Sequence, residues 1–243
     1  MKVRNVTAIL AMLIGVASQQ VVRAGSTGVN QNSATVSGRV KVEGTLPKPK
    51  PINMAADPSC VHQHSSPAVS DELVTDQKGD LQNVIVFISD GLGDRVFGSP
   101  QQPVQMKQKG CLYEPHVLAL QVNQPVDVTN DDPTTHNIHP LPTNNREWNK
   151  AQTPGSKIEE SFARPEIAIP VKCNLHPWMR GYVAVFKHPF FAVTGKDGSF
   201  TLPNLPPGSY TIEAWHEKLG RATQKITIGA NESKSVDFVF RSM

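Results

Sequence analysis

Residues 173–185 read Cys173-Asn174-Leu175-His176-Pro177-Trp178-Met179-Arg180-Gly181-Tyr182-Val183-Ala184-Val185. A thiol, an imidazole and a thioether stand three residues apart in turn. From Gly181 onward the sequence alternates as a strand does. A cysteine at the end of one strand and a methionine at the start of the next let a tight loop aim three side chains at one point. Soft thiolate and thioether donors combined with imidazole select copper, and a His₂Cys plane with a long Met contact suits both of its oxidation states. The second imidazole has to come from a neighbouring strand. Thr135-His136-Asn137-Ile138-His139 offers His136, whereas His139, three residues on, points to the opposite face. Structural zinc is the other reading of a Cys-His pair, but it favours several cysteines and no thioether.

Outward from this stretch the chain reads as short strands separated by turns. Residues 35–42 (TVSGRVKV) alternate, and 83–88 (NVIVFI) form a continuous apolar run of buried-strand length. Residues 117–120 and 125–129 flank an Asn123-Gln124 turn. Residues 89–98 read as a loop, 140–157 carry turn residues with little periodicity, and 161–171 alternate weakly. In the last third, residues 191–193 and 199–202 flank Lys196-Asp197-Gly198, which predicts a hairpin. Strands at 210–215, 225–228 and 235–240 follow. No long stretch carries a 3.6-residue period, and 17 glycines and 20 prolines suit a loop-rich chain. The expected fold class is all-β, built as sandwiches.

The first 24 positions hold Lys2, Arg4 and Arg23 and no acid. The other 21 of the 24 basic residues face 21 acidic ones, so the net charge of +3 belongs to this segment. A positive start, a mostly apolar run at 6–17 and small residues in Val22-Arg23-Ala24 predict an export signal, 1–24, cleaved before Gly25. The run is shorter than the ~20 residues of a spanning helix. The expectation is a periplasmic or secreted chain with no membrane span after cleavage. The remaining charge is balanced and shows no basic stripe for a nucleic acid.

The ligand loop resembles that of the cupredoxins, the blue copper family, with the spacing of its amicyanin group. There a Pro-His-Asn-Val-His strand start precedes C-x2-H-P-F-M-R-G-x-V-x-V. This chain has THNIH and CNLHPWMRGYVAV, and residues 113–132 (YEPHVLALQVNQPVDVTNDD) are similar to the family's preceding strand pair. The resemblance implies a type 1 site of one copper ion with His136, Cys173 and His176 in the plane and Met179 axial. The reading of the loop further takes Asn137 as a brace, His176 as an exposed electron port, and Pro177, Trp178 and Pro140 as an apolar collar for a redox partner, with Trp178 equally readable as a plain packing residue. The chain departs from the family in placing Val171, not an aromatic residue, two before the cysteine.

Residues 193–220 (VTGKDGSFTLPNLPPGSYTIEAWHEKLG) resemble the carboxypeptidase regulatory-like, or transthyretin-like, β-sandwich. The opening half of that pattern fits Ser37-Gly38-Arg39-Val40 and Leu81-Gln82-Asn83-Val84-Ile85-Val86, well before the copper segment. The expected organisation is therefore a signal at 1–24, a flexible lead-in at 25–35, the first part of the regulatory-like sandwich at 36–100, a cupredoxin domain at 101–187 and the second part of the sandwich at 188–243. The cupredoxin would be inserted between Phe87 and Phe191; three β pieces in tandem is the alternative.

An exported compartment is oxidising. With Cys173 on copper, Cys60 and Cys111 remain as a pair, and a disulfide is expected. His62 and His64 read as a polar loop, with metal binding as the sharper alternative, and His116, His188 and His216 as structural histidines. The expected function is single-electron transfer between redox proteins, without enzymatic activity. Copper storage, sensing or delivery is the first alternative, and a cell-surface interaction module the second.

Overall fold

The computed structural model describes residues 32–46 and 48–242; the expected export signal and most of the expected lead-in lie outside them. The first described elements are β1 (Ala34–Glu43), a one-turn helix α1 (Pro58–Val61) and β2 (Ile85–Asp90). A central block holds β3 (Val104–Lys109), β4 (Leu112–Glu114), β5 (Val117–Gln121), β6 (Val126–Asn130), β7 (His136–Pro140), β8 (Lys150–Gln152), β9 (Lys157–Glu160), β10 (Glu166–Lys172) and β11 (Arg180–Phe186). The last block holds β12 (Phe191–Val193), β13 (Ser199–Leu205), β14 (Gly208–His216), β15 (Gly220–Ile228), β16 (Ser233–Ser235) and β17 (Phe238–Arg241).

Strand pairing sorts these into two sandwiches. The central block alone makes the sheets β5-β11-β10-β7-β8 and β4-β3-β6-β9. The first and last blocks together make β12-β2-β14-β15 and β13-β1-β16, with β17 also on β1. Phe191 pairs directly with Phe87, so the chain leaves the outer sandwich after β2 and returns to it at β12. Two adjacent chain ends of this kind are the geometry that tolerates an inserted domain.

The continuous apolar run of β2 has a physical reason. Val86 and Ile88 point into the outer core with Val40, Leu202 and Ile212. Ile85 and Phe87 point the other way, into a smaller cluster with Val117, Ala184, Phe186 and Trp215 that joins the two sandwiches. Strand β11 does the same from the other side. Its Val183 and Val185 enter the inner core, and Ala184 and Phe186 the joining cluster. A strand covered on both faces loses the polar half of its alternation. Each such aliphatic or aromatic side chain stabilises by roughly 1.5–3 kcal/mol when fully buried.

Several expectations are corrected. Lys196-Asp197-Gly198 does not make a hairpin. β12 pairs with β2 and β13 with β1, so this turn carries the chain from one sheet to the facing one. Turn chemistry specifies the reversal, not which strands pair. The lead-in is shorter than 25–35, because Ala34 and Thr35 already lie in β1. Residues 140–157 hold β8 and the start of β9, too short for a legible period. Residues 161–171 contribute a strand only from Glu166. The loop around Cys60 contains α1, which begins as the Asp57-Pro58-Ser59 run dictates: Asp57 is the N-cap and Pro58 stands in the first turn.

Candidate metal centre

The ligand loop is the connection of the β10–β11 hairpin, whose last ladder pair is Lys172 with Arg180. Cys173 N–H donates to the Met179 carbonyl at 3.1 Å, and Met179 N–H to the His176 carbonyl at 2.9 Å. The loop is thus folded back on itself. Gly181 stands where a Cβ would come within 2.7 Å of the His116 carbonyl, so β11 approaches its neighbour too closely there for any other residue. On the adjoining strand, β7 pairs with β10 at Lys172–His139 and Val171–Pro140, which carries His136 to the same end of the sheet.

Three of the four expected ligands are brought together by their donor atoms. His136 Nδ1 lies 2.9 Å from His176 Nδ1, and the Cys173 sulfur lies 3.7 Å from the same His176 Nδ1. All three residues are buried. Met179 is fully buried in the same apolar cluster as Cys173. Asn137 braces the loop as expected: its Oδ1 accepts from Asn174 N–H at 2.7 Å and from the Cys173 thiol at 3.3 Å.

The outer ring nitrogens decide the chemistry. His136 Nε2 donates to Asp132 Oδ2 at 2.8 Å, and His176 Nε2 donates to Asp57 Oδ2 at 3.0 Å. An ionised carboxylate only accepts, so both Nε2 atoms carry hydrogen, and in the neutral rings both Nδ1 atoms are then acceptors. Two lone pairs face each other beside a sulfur. Only a cation, a proton or a metal ion, relieves that arrangement. In the metal-free chain a proton does so: burial disfavours charge on His136, but Asp132 and Cys173 outweigh it and raise its pKa to about 9. Burial likewise opposes the Cys173 thiolate, yet His136 and the backbone N–H groups of Asn137, His176 and Leu175 lower its pKa to about 6. A ready thiolate, two imidazole lone pairs and a buried thioether in the same cluster fit a soft-ligand copper site.

Neither carboxylate was among the expected site residues. Asp132 Oδ1 accepts from Gly110 N–H at 2.6 Å and its Oδ2 from Cys111 N–H at 2.7 Å. It clamps a turn in which Gly110 and Cys111 both take positive φ, 61° and 54°. Cys111 is bonded to Cys60 on α1, across a separation of 51 residues. The position of Asp132, four residues before His136, was a usable signal. That of Asp57 was not, because only the fold brings it near His176.

The remaining expectations divide. His176 is not an exposed port: it is 5% exposed, with Asp57 across its outer edge. The expected collar is also different. Pro140 is buried, and Trp178 is half-buried and donates to the Cys111 carbonyl at 3.2 Å. Pro177 is exposed, as is Leu175, which is not part of the expected collar. His139 stays off the site, 3.1 Å from Asn174 Oδ1 and 2.6 Å from Glu147. His64 contacts the Gly110 carbonyl at 2.8 Å, while His62 is exposed. Two further donor groups, Asp57/Cys60/His176 and Cys111/Asp132/His136, reuse the same histidines and the bonded cysteines.

Residues 183–241 match the model of the carboxypeptidase regulatory-like domain. No curated protein matches the chain. Among solved structures, a purple cupredoxin from Nitrosopumilus maritimus is 26% identical, covering 34% of this chain and 98% of its own, with a TM-score of 0.30. An oxidised amicyanin variant is 19% identical over 40% of this chain and 96% of its own, at 0.32. A copper-containing nitrite reductase from Thermus scotoductus is 18% identical over 41% of this chain, at 0.34, and the match spans 26% of that enzyme. No described helix is long and apolar enough to cross a membrane.

Proposed function

We propose that this chain is an exported mononuclear copper protein that carries single electrons, and that His136, Cys173, His176 and Met179 are the residues that would hold the ion. The supporting observation is the pair of Nδ1 atoms facing each other at 2.9 Å while both Nε2 atoms are committed to carboxylates. A bound copper ion supplies a one-electron couple. The chain's own residues do the rest. Cys173 offers a thiolate, and Asp132 and Asp57 fix the rings with Nδ1 inward. Asn137 holds the loop at Asn174, and the apolar cluster around Met106, Leu120 and Met179 excludes water. A site fixed before the ion changes charge needs little rearrangement, which favours fast transfer. The reading is of a carrier and not of an enzyme.

The test is the visible spectrum after addition of Cu(II), repeated on Cys173→Ser. An intense blue band in the wild type and none in the variant is the expected result. No band in the wild type removes the copper reading, and a band that survives in Cys173→Ser removes the ligand assignment. A second reading, copper binding for storage or delivery, draws on the covered edge of His176, which places protein between the ring and a partner. A fast, reversible one-electron couple decides for the carrier, and a slow one for the store.

A further inference from the structure

The outer edge of His176 is covered by a residue from far away in the chain. Asp57 lies on the segment between β1 and β2, in the outer-sandwich half of the sequence. Its carboxylate receives four donors. Oδ1 takes Ser59 N–H at 2.9 Å and Ser59 Oγ–H at 2.6 Å, and Oδ2 takes Thr134 Oγ–H and His176 Nε2–H, both at 3.0 Å. Four donors converge on a group that can only accept. One oxygen caps α1 while the other holds the imidazole, so the helix fixes the carboxylate and the carboxylate fixes the ring.

The disulfide fixes the helix in turn. Cys60 and Cys111 are both fully buried, so the bond ties the helix to this turn out of reach of solvent. Its far end is the turn whose N–H groups bind Asp132, the carboxylate on the other histidine. Asp57, Cys60, Cys111 and Asp132 therefore form one bracket around the outer edges of both imidazoles.

We infer that Asp57 is the positioning residue of the metal centre, delivered by the Cys60–Cys111 tie to hold His176 with Nδ1 inward and to close the ring's outer edge to solvent and partners. This rests on the copper reading only for its effect on the ion. A carboxylate on the outer N–H makes the ring a stronger donor, which favours Cu(II) over Cu(I) and lowers the reduction potential.

The decisive variants keep the helix cap. Asp57→Ser still caps α1 but is too short to reach His176. Asp57→Asn keeps an oxygen and loses the charge. In the metal-free protein, NMR should find the His176 Nε2 proton exchanging slowly with water in the wild type and at least tenfold faster in Asp57→Ser. With copper bound, Asp57→Ser should shift the Cu(II):Cu(I) preference about tenfold toward Cu(I), a rise of about 59 mV for one electron, with Asp57→Asn between the two. Unchanged exchange in Asp57→Ser overturns the hold on His176. Changed exchange with an unchanged potential and an intact blue band overturns its influence on the ion. A colourless wild type overturns the copper reading instead, and proton exchange in the metal-free chain then decides the role of Asp57 by itself.

Discussion

Two buried histidine clusters in this molecule are built from the same parts and differ in how many carboxylates each ring meets. At the junction of the sandwiches, His116 has carboxylates on both ring nitrogens: Nε2 on Glu217, and Nδ1 3.0 Å from Asp71 without the alignment of a hydrogen bond. At the candidate metal centre, His136 and His176 have one carboxylate each, and the second nitrogen faces the other ring. Burial opposes charge on His116, but Asp71 and Glu217 outweigh it and raise its pKa to about 9. A ring bounded by two acceptors is held as imidazolium and has no lone pair to give. A ring bounded by one has its second nitrogen turned to another imidazole, where in the metal-free chain a proton holds the place that a metal ion can take. Counting carboxylates per imidazole separates a charged lock from a ligand, which inspection of the histidines alone does not.

The largest effect should come from the tie that serves the metal end. Replacing both bonded cysteines, Cys60→Ser with Cys111→Ser, should lower unfolding stability by about 3–5 kcal/mol on the chain-entropy account. Urea denaturation measures it. The same variant should loosen Asp57 and leave the junction at His116 intact. A loss spread equally over both ends, read by hydrogen exchange, would break the comparison.

The junction should respond to pH in one direction. His116 has a folded pKa near 9 against an unfolded value near 6.5. A raised pKa contributes stability that is fully present below about pH 6.5 and is lost as pH rises through about 9. His116→Gln should therefore cost on the order of 3 kcal/mol at pH 6 and much less above pH 9. Urea midpoints at pH 6, 8 and 10 check this. A difference between wild type and variant that stays flat with pH refutes the lock. The blue band of the copper-loaded variant should be unchanged.

This contrast also shows how much the sequence disclosed. The four expected ligands sit on a hairpin loop and the strand next to it, so their spacing was readable. The inserted arrangement was readable because the regulatory-like pattern is interrupted in sequence. What stayed hidden was the environment of each imidazole. Asp57 is 119 residues from His176 and Glu217 is 101 from His116. Such distances close only when four sheets stack. The hairpin expected at Lys196-Asp197-Gly198 failed for a related reason: β-turn chemistry is local, whereas the choice of sheet belongs to the core that each strand enters.

A smaller effect should follow at the other imidazole. Asp132→Asn keeps an acceptor for one of its partners but removes the charge opposite His136 Nε2. Copper affinity should fall about 10–100-fold, the usual loss when the outer partner of a ligand histidine is altered. A competition titration with a chromophoric chelator measures it. Since Asp132 also clamps Gly110 and Cys111, stability is followed in parallel. A stability loss with unchanged affinity would make Asp132 a turn clamp only, and the two histidine clusters would then no longer differ in kind.

The smallest test concerns the tryptophan beside each cluster. Trp215 packs edge-on against Tyr182 at the junction, 5.2 Å between centroids, and is a core residue. Trp178 lies 5.1 Å from the His176 ring and donates to the Cys111 carbonyl. If Trp178 is a brace, Trp178→Phe should lose one hydrogen bond, about 0.5–1.5 kcal/mol, with an unchanged electron-exchange rate between oxidised and reduced protein. If it is a docking surface, the rate should fall while stability holds. The bond to Cys111 favours the brace: a side chain fixed to the disulfide turn cannot also adapt to a partner. On the proposed carrier reading, contact with a partner would fall to Leu175 and Pro177, the exposed apolar residues on either side of the covered histidine.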